Sequence, residues 1–126
     1  MAVVLSPEDE AYAAFDKLEA SGGMSLESTL VYLRMSEILR RYLGRRFEIP
    51  ALDLTSTEIR SRLSHVENSY QWLGALESWL KTGDSVKFAN LRVSAEEAGV
   101  SLQAARILVD RSKEIDNERP REIARA

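Results

Sequence analysis

Four arginines crowd one stretch of the chain: Arg40, Arg41, Arg45 and Arg46, with Arg34 one to two turns before them if the stretch is helical. Positions 41 and 45 stand four apart, so on a helix they share a face. Guanidinium groups recognise carboxylates and phosphates through paired N–H donors. Such a cluster can grip an acidic partner or anionic lipid headgroups. The alternative use is structural. Cations at a helix C-terminus offset the negative end of its dipole, and they can pair with Glu37, Glu48 or Glu58. Both readings stay open at this level, and the four arginines are the candidate partner-binding residues.

Other chemistry-bearing residues form no constellation. His65 is the one histidine, and no nucleophile-plus-orienter pattern surrounds it. It reads as a surface or helix-terminus residue. Glu8, Asp9 and Glu10, like Glu96 and Glu97, fall at expected helix starts, where carboxylates stabilise the positive dipole end without any metal. Gly22-Gly23 has neither a preceding strand nor a following lysine, so no phosphate loop is present. There are no cysteines, which removes thiolate catalysis, disulfides and zinc–thiolate sites. No catalytic, metal or cofactor-binding residue is assigned, and no cofactor is expected. One weaker motif stands at residues 94–110. Ala95, Gly99-Val100-Ser101, Ala105, Arg106 and Leu108 mimic a helix-turn-helix, with Gln103 and Arg106 available for base contacts. The alternative there is one continuous helix with Gly99 inside it.

The elements that would position these residues are helical throughout. Ser6-Pro7-Glu8-Asp9 reads as a capped helix start, followed by the stripe Ala11, Phe15 and Leu18, with Gly22-Gly23 as the stop. Ser25 can cap a second helix, in which Leu26, Leu30, Val31, Leu33, Met35, Ile38, Leu39, Tyr42 and Leu43 recur at helical spacing. This longest periodic stretch, about 26–46, is expected to be the central helix, ending before Pro50. Thr55-Ser56-Thr57-Glu58 fits a capping box ahead of Ile59 and Leu63. A further helix from Glu67 or Asn68 carries Trp72, Leu73, Leu76, Trp79 and Leu80 and is expected to end at Gly83, with 84–89 a short separate turn. Ser94 and Glu97 form a second capping box before Ala98, Leu102, Ala105, Leu108 and Val109.

The bulk numbers agree with one such domain. The chain has 126 residues, 44% of them hydrophobic and 29% charged, which suits a folded globular chain. The net charge is −3, from 17 basic and 20 acidic residues, which argues against nonspecific nucleic-acid binding. No apolar run approaches the roughly 20 residues of a membrane span, so the polypeptide as given is expected to be soluble and cytosolic. The expectation is an all-α domain of five or six helices. It comprises an N-terminal extension at 1–6, a helical domain at 7–116 and a flexible polar tail at 117–126.

Three segments in order resemble a known pattern. They are the run from Tyr32 to Ala51, with its arginine–tyrosine–leucine core ending in Arg46-Phe47-Glu48-Ile49-Pro50-Ala51; the cap Thr55-Ser56-Thr57-Glu58-Ile59; and Asp84-Ser85-Val86-Lys87-Phe88-Ala89. Together they resemble the cytoplasmic helical domain of BatD-like, bacterial aerotolerance-operon membrane proteins, over about residues 8–112. The resemblance implies a membrane anchor just before the domain. It also implies an assembly or scaffold role beside a MoxR-type AAA+ ATPase and von Willebrand factor A domain proteins, with no known catalysis. The membrane helix is missing from this sequence, so the chain is expected to be either a domain of such a protein or a soluble relative. Its motif residues are Tyr42, Phe47, Pro50, Thr57, Glu58, Asp84, Lys87 and Phe88. Physically, Tyr42, Phe47, Ile49 and Phe88 are expected to pack the end of the central helix. Arg46 is expected to pair with Glu58, and Lys87 with Asp84. The competing reading is a DNA-binding regulator using residues 94–110.

Overall fold

The computed structural model describes residues 4–25, 27–89 and 91–125, with side chains of the last helix described as far as Lys113. Of the segments read above, Met1–Val3 in the N-terminal extension, Leu26, and the tail's last residue and side chains lie outside this description. The fold is all-α. Among the described residues five helices follow one another: α1 (Pro7–Ala20), α2 (Ser28–Phe47), α3 (Ser56–Leu63), α4 (Leu73–Phe88) and α5 (Ala95–Arg125). Short 3-10 turns at Gly23–Ser25, Ala51–Asp53 and Ser69–Gln71 connect them. No strand occurs among the described residues.

The helix starts follow from local chemistry. The Asp9 amide donates to Ser6 Oγ at 3.1 Å, with Pro7 in the first turn. Thr55 and Glu58 close a complete capping box: the Glu58 amide donates to Thr55 Oγ1 at 3.1 Å and the Thr55 amide to Glu58 Oε1 at 2.9 Å. Ser94 and Glu97 repeat it for α5, at 3.1 and 3.3 Å. Each arrangement satisfies amides that the first helical turn leaves without partners.

Helix α2 is the centre of the bundle and packs against α1, α4 and α5, while α3 leans on α4. Its inward residues Val31, Tyr32, Met35, Leu39, Tyr42 and Leu43 are buried with Phe15 of α1, Ile59 of α3, Leu76, Leu80 and Val86 of α4, and Leu102 and Val109 of α5. Each large apolar side chain withdrawn from water here contributes roughly 1.5–3 kcal/mol. Two tyrosines on α2 add polar ties to α5. Tyr32 Oη meets Ser101 Oγ at 2.5 Å, and Tyr42 Oη meets Ser112 Oγ at 2.5 Å. The Trp79 indole N–H donates to the Ser101 carbonyl at 2.9 Å, bringing α4 to the same point.

Several boundaries differ from the sequence reading. The central helix begins at Ser28 rather than directly after Ser25, because Gly23–Ser25 forms its own turn. A side chain at Gly23 would meet the Leu18 carbonyl at 2.7 Å, so glycine lets this turn close against α1. The left-handed cap after α2 falls on Glu48, at φ 55°, instead of a glycine. Helix α4 begins at Leu73, after the Ser69–Gln71 turn, and runs through Gly83 to Phe88. Leu80 and Val86 are buried on either side of Gly83, so packing carries the helix across a residue that weakens it by roughly 0.5–1 kcal/mol. Gly99 likewise lies inside α5, between buried Ala98 and Leu102, and the interhelical turn of a helix-turn-helix is not formed there. Where a flexible tail was expected from residue 117, the helical backbone continues to Arg125. Polarity alone does not end a helix, and the Arg, Glu and Ala residues of this segment are good helix formers. No helix among the described residues is long and apolar enough to cross a membrane.

Candidate functional site

The arginine cluster separates into four different environments. Arg40 is a buried residue, only 8% exposed. Its Nη1 donates to the carbonyls of Ala51 at 2.8 Å and Leu54 at 2.5 Å, and its Nε to Ser36 Oγ at 3.3 Å. Burial pulls its pKa below the usual arginine value, and the negative charge of Asp84 opposes that shift. The expectation that Arg40 offers itself to a partner is therefore corrected. It faces inward, one position (about 100°) around α2 from exposed Arg41, and it fastens the 51–54 turn to the helix.

Arg45 and Arg46 tie α2 to α1. Arg45 Nη1 lies 3.0 Å from Glu10 Oε2, and its Nη2 donates to the Leu5 carbonyl at 3.1 Å. Arg46 Nε lies 3.0 Å from Glu8 Oε1, with both side chains only 14% exposed, and its guanidinium stands over the Phe47 ring at 5.4 Å. The acids are in the first turn of α1 and the arginines in the last turn of α2. Each charge therefore offsets its own helix dipole as well as its partner. This corrects the expected Arg46–Glu58 pair: Glu58 is held by the Thr55 amide instead. Arg41 is exposed and makes no ion pair among the described residues.

The motif residues also divide. Tyr42 is buried, and Phe47 stacks on Trp72 with centroids 5.7 Å apart. Pro50 precedes the Ala51–Asp53 turn as its cap residue, and Thr57 is exposed in the first turn of α3. Lys87 pairs with Asp84 at 3.7 Å, as the i,i+3 spacing predicts. Phe88 is the main correction. Expected in the core, it is 83% exposed. Val86 points inward from α4, and two residues further on the helix has turned about 200°, which aims Phe88 at solvent.

These placements define one groove. It lies between α2, the 51–54 turn and the C-terminal end of α4, with a volume of about 590 Å³. Ser36, Glu37 and Arg40 of α2 line it opposite Asp84, Lys87 and Phe88 of α4. Its apolar rim is Leu33, Leu52 and Phe88, at 42%, 50% and 83% exposure. Residues of the 32–51 and 84–89 segments, separated by more than thirty residues of sequence, thus face each other across it. Leu33 and Leu52 were not legible as site residues. Leu33 reads as part of the apolar stripe of α2, and Leu52 sits in a turn with no periodicity to assign its face. Among the described residues, no group of three or more His, Cys, Asp or Glu is placed to hold a metal ion.

Of the residues suggested for base contacts, Gln103 is exposed and Arg106 has another role. Arg106 bridges α5 to α1, with Nη1 2.9 Å from Asp16 Oδ1 and Nη2 2.5 Å from Glu19 Oε1, and its guanidinium lies over the Phe15 ring at 5.7 Å. His65 is exposed in the turn after α3. No protein-family model, curated protein or solved structure matches the chain.

Proposed function

We propose that this chain is a noncatalytic protein-interaction domain, acting as an adaptor on the cytoplasmic side of a bacterial membrane-anchored protein. Its partners in this reading are a MoxR-type AAA+ ATPase and von Willebrand factor A domain proteins, as the resemblance of the 32–51, 55–59 and 84–89 segments implies. One observation supports it above the others. Residues of the first and third segments converge on a single groove, whose rim exposes Leu33, Leu52 and Phe88. Exposed apolar side chains grouped around a concavity are what a docking surface requires. The floor of the groove is rigid, because Arg40 bonds the 51–54 turn to α2. A preformed surface loses less entropy on binding.

The test is direct binding of the purified chain to the source organism's MoxR-type ATPase and von Willebrand factor A proteins, followed by size-exclusion chromatography. Co-elution with either is the expected result, and Leu52→Asp abolishes it while leaving thermal unfolding nearly unchanged. Absence of binding to both partners would refute the reading.

A further inference from the structure

A second cleft lies on the other side of Arg40. It has a volume of about 390 Å³ and runs between the C-terminal half of α2 and the 49–53 segment. Its α2 wall carries Arg41 and Arg45, with Gly44 beside them, and its opposite wall is the apolar run Ile49, Pro50, Ala51 and Leu52. A Cβ at Gly44 would stand 3.1 Å from the Ile49 carbonyl oxygen, so glycine there keeps the apolar wall close to the arginine wall.

The charges in this cleft do not balance. Three guanidinium groups, of Arg40, Arg41 and Arg45, line it against two carboxylates, of Glu10 and Asp53. Glu10 is taken by Arg45 at 3.0 Å. Arg40 is solvated by carbonyl oxygens, and Arg41 makes no ion pair among the described residues. An exposed guanidinium facing an aliphatic wall suits a carboxylate with an aliphatic side chain next to it.

We infer that this cleft docks an acidic segment of a protein partner, with a carboxylate on Arg41 and a neighbouring aliphatic side chain against Ile49 and Pro50. The inference rests on the reading of the chain as a protein-interaction domain. A lipid surface fits less well. Electrostatic membrane binding draws on clusters of about four to eight Lys or Arg. Here Arg40 is buried, Arg45 and Arg46 are paired with α1, and the whole chain carries −3.

Fluorescence anisotropy decides it, with a labelled peptide of alternating Glu and Leu as the probe. The same peptide with Gln for Glu, and vesicles of phosphatidylglycerol, serve as comparisons. The acidic peptide is expected to bind the wild-type chain, and Arg41→Glu to weaken it about tenfold or more, the loss of one charge-assisted contact. Arg41→Lys should fall between them, and neither variant should shift the thermal midpoint. The inference is overturned if the wild type does not bind the acidic peptide, if the Gln peptide binds equally, or if Arg41→Glu leaves binding unchanged. Arg41-dependent vesicle binding that the peptide cannot displace overturns it too. Binding to the MoxR-type ATPase, measured on the same preparations, separates the two levels. If it persists while the peptide fails, only the cleft assignment falls; if it is absent as well, the interaction reading falls with it.

Discussion

The Arg40 guanidinium donates to the Leu54 carbonyl at 2.5 Å, so a buried cation of α2 holds the turn that leads into α3. The same guanidinium forms the floor between the two clefts. An arginine that the sequence offers to partners is thereby a structural clamp, and the surfaces on either side depend on it.

Replacing this clamp should therefore cost stability. Arg40→Ala removes the guanidinium donor to the Leu54 carbonyl and the shorter of two donors to the Ala51 carbonyl, which keeps the Leu54 amide at 3.4 Å, and an acceptor left without a partner costs about 1–3 kcal/mol. The expected loss is about 2 kcal/mol or more, read from the urea midpoint. Arg41→Ala, one residue away but exposed, should stay within about 0.5 kcal/mol of wild type. Equal effects for the two would contradict the division of roles between them.

Tyr42 gives an alkaline signature. Burial, the largest cause, pushes its phenol from an ordinary 10.0 up to about 12, although the Ser112 hydroxyl bond partly favours the ionised form. The folded state therefore prefers the neutral phenol. That contribution is fully present below pH 10 and is lost as the pH rises towards 12. Chemical denaturation at stepped alkaline pH should show stability falling across this window. Tyr42→Phe should make the fall shallower, at a cost of about 1 kcal/mol near neutrality for the missing hydroxyl bond. Some slope will remain, because burial and the bond to Asp110 also raise Tyr12.

The capping box at α3 gives the opposite sign. The Thr55 amide, bonding the ionised carboxylate, holds Glu58 below its usual value of 4.5. A depressed pKa contributes stability above the unfolded value, and this is lost as the pH falls through the folded one. Glu58→Gln should flatten the acid limb of the stability curve below about pH 4.5, with little change above pH 6. Thr55→Ala should cost about 1 kcal/mol at neutral pH, the usual worth of an N-cap. An acid limb of the same steepness in Glu58→Gln would contradict this cap.

The helical periodicity of α2 and the three caps were legible because each depends on residues within a turn of one another. Ser6, Thr55 and Ser94 all do what their spacing predicts. The Lys87–Asp84 pair is local in the same way. What could not be read is the choice among distant partners. Glu37, Glu48 and Glu58 stand near the arginines in sequence, whereas Glu8 and Glu10 reach them only because α1 packs against α2. Gly83 reads as a stop because glycine weakens a helix locally, and the buried neighbours that override this belong to tertiary structure. Phe88 fails for a related reason. An aromatic residue at a helix end reads as core, but its direction is fixed by the angle at which α4 packs Val86.

That outward direction makes Phe88 the sharpest probe of the interaction reading. The decisive measurement is calorimetric titration of the chain with the MoxR-type ATPase and with the von Willebrand factor A proteins of its source organism, comparing wild type with Phe88→Asp. The wild type should bind at least one of them. Phe88→Asp should lose that binding at an unchanged thermal midpoint, because the side chain contributes almost nothing to the core. Undiminished binding by Phe88→Asp would contradict the groove as the docking surface, and no binding by wild type to any of these partners would contradict the adaptor function itself.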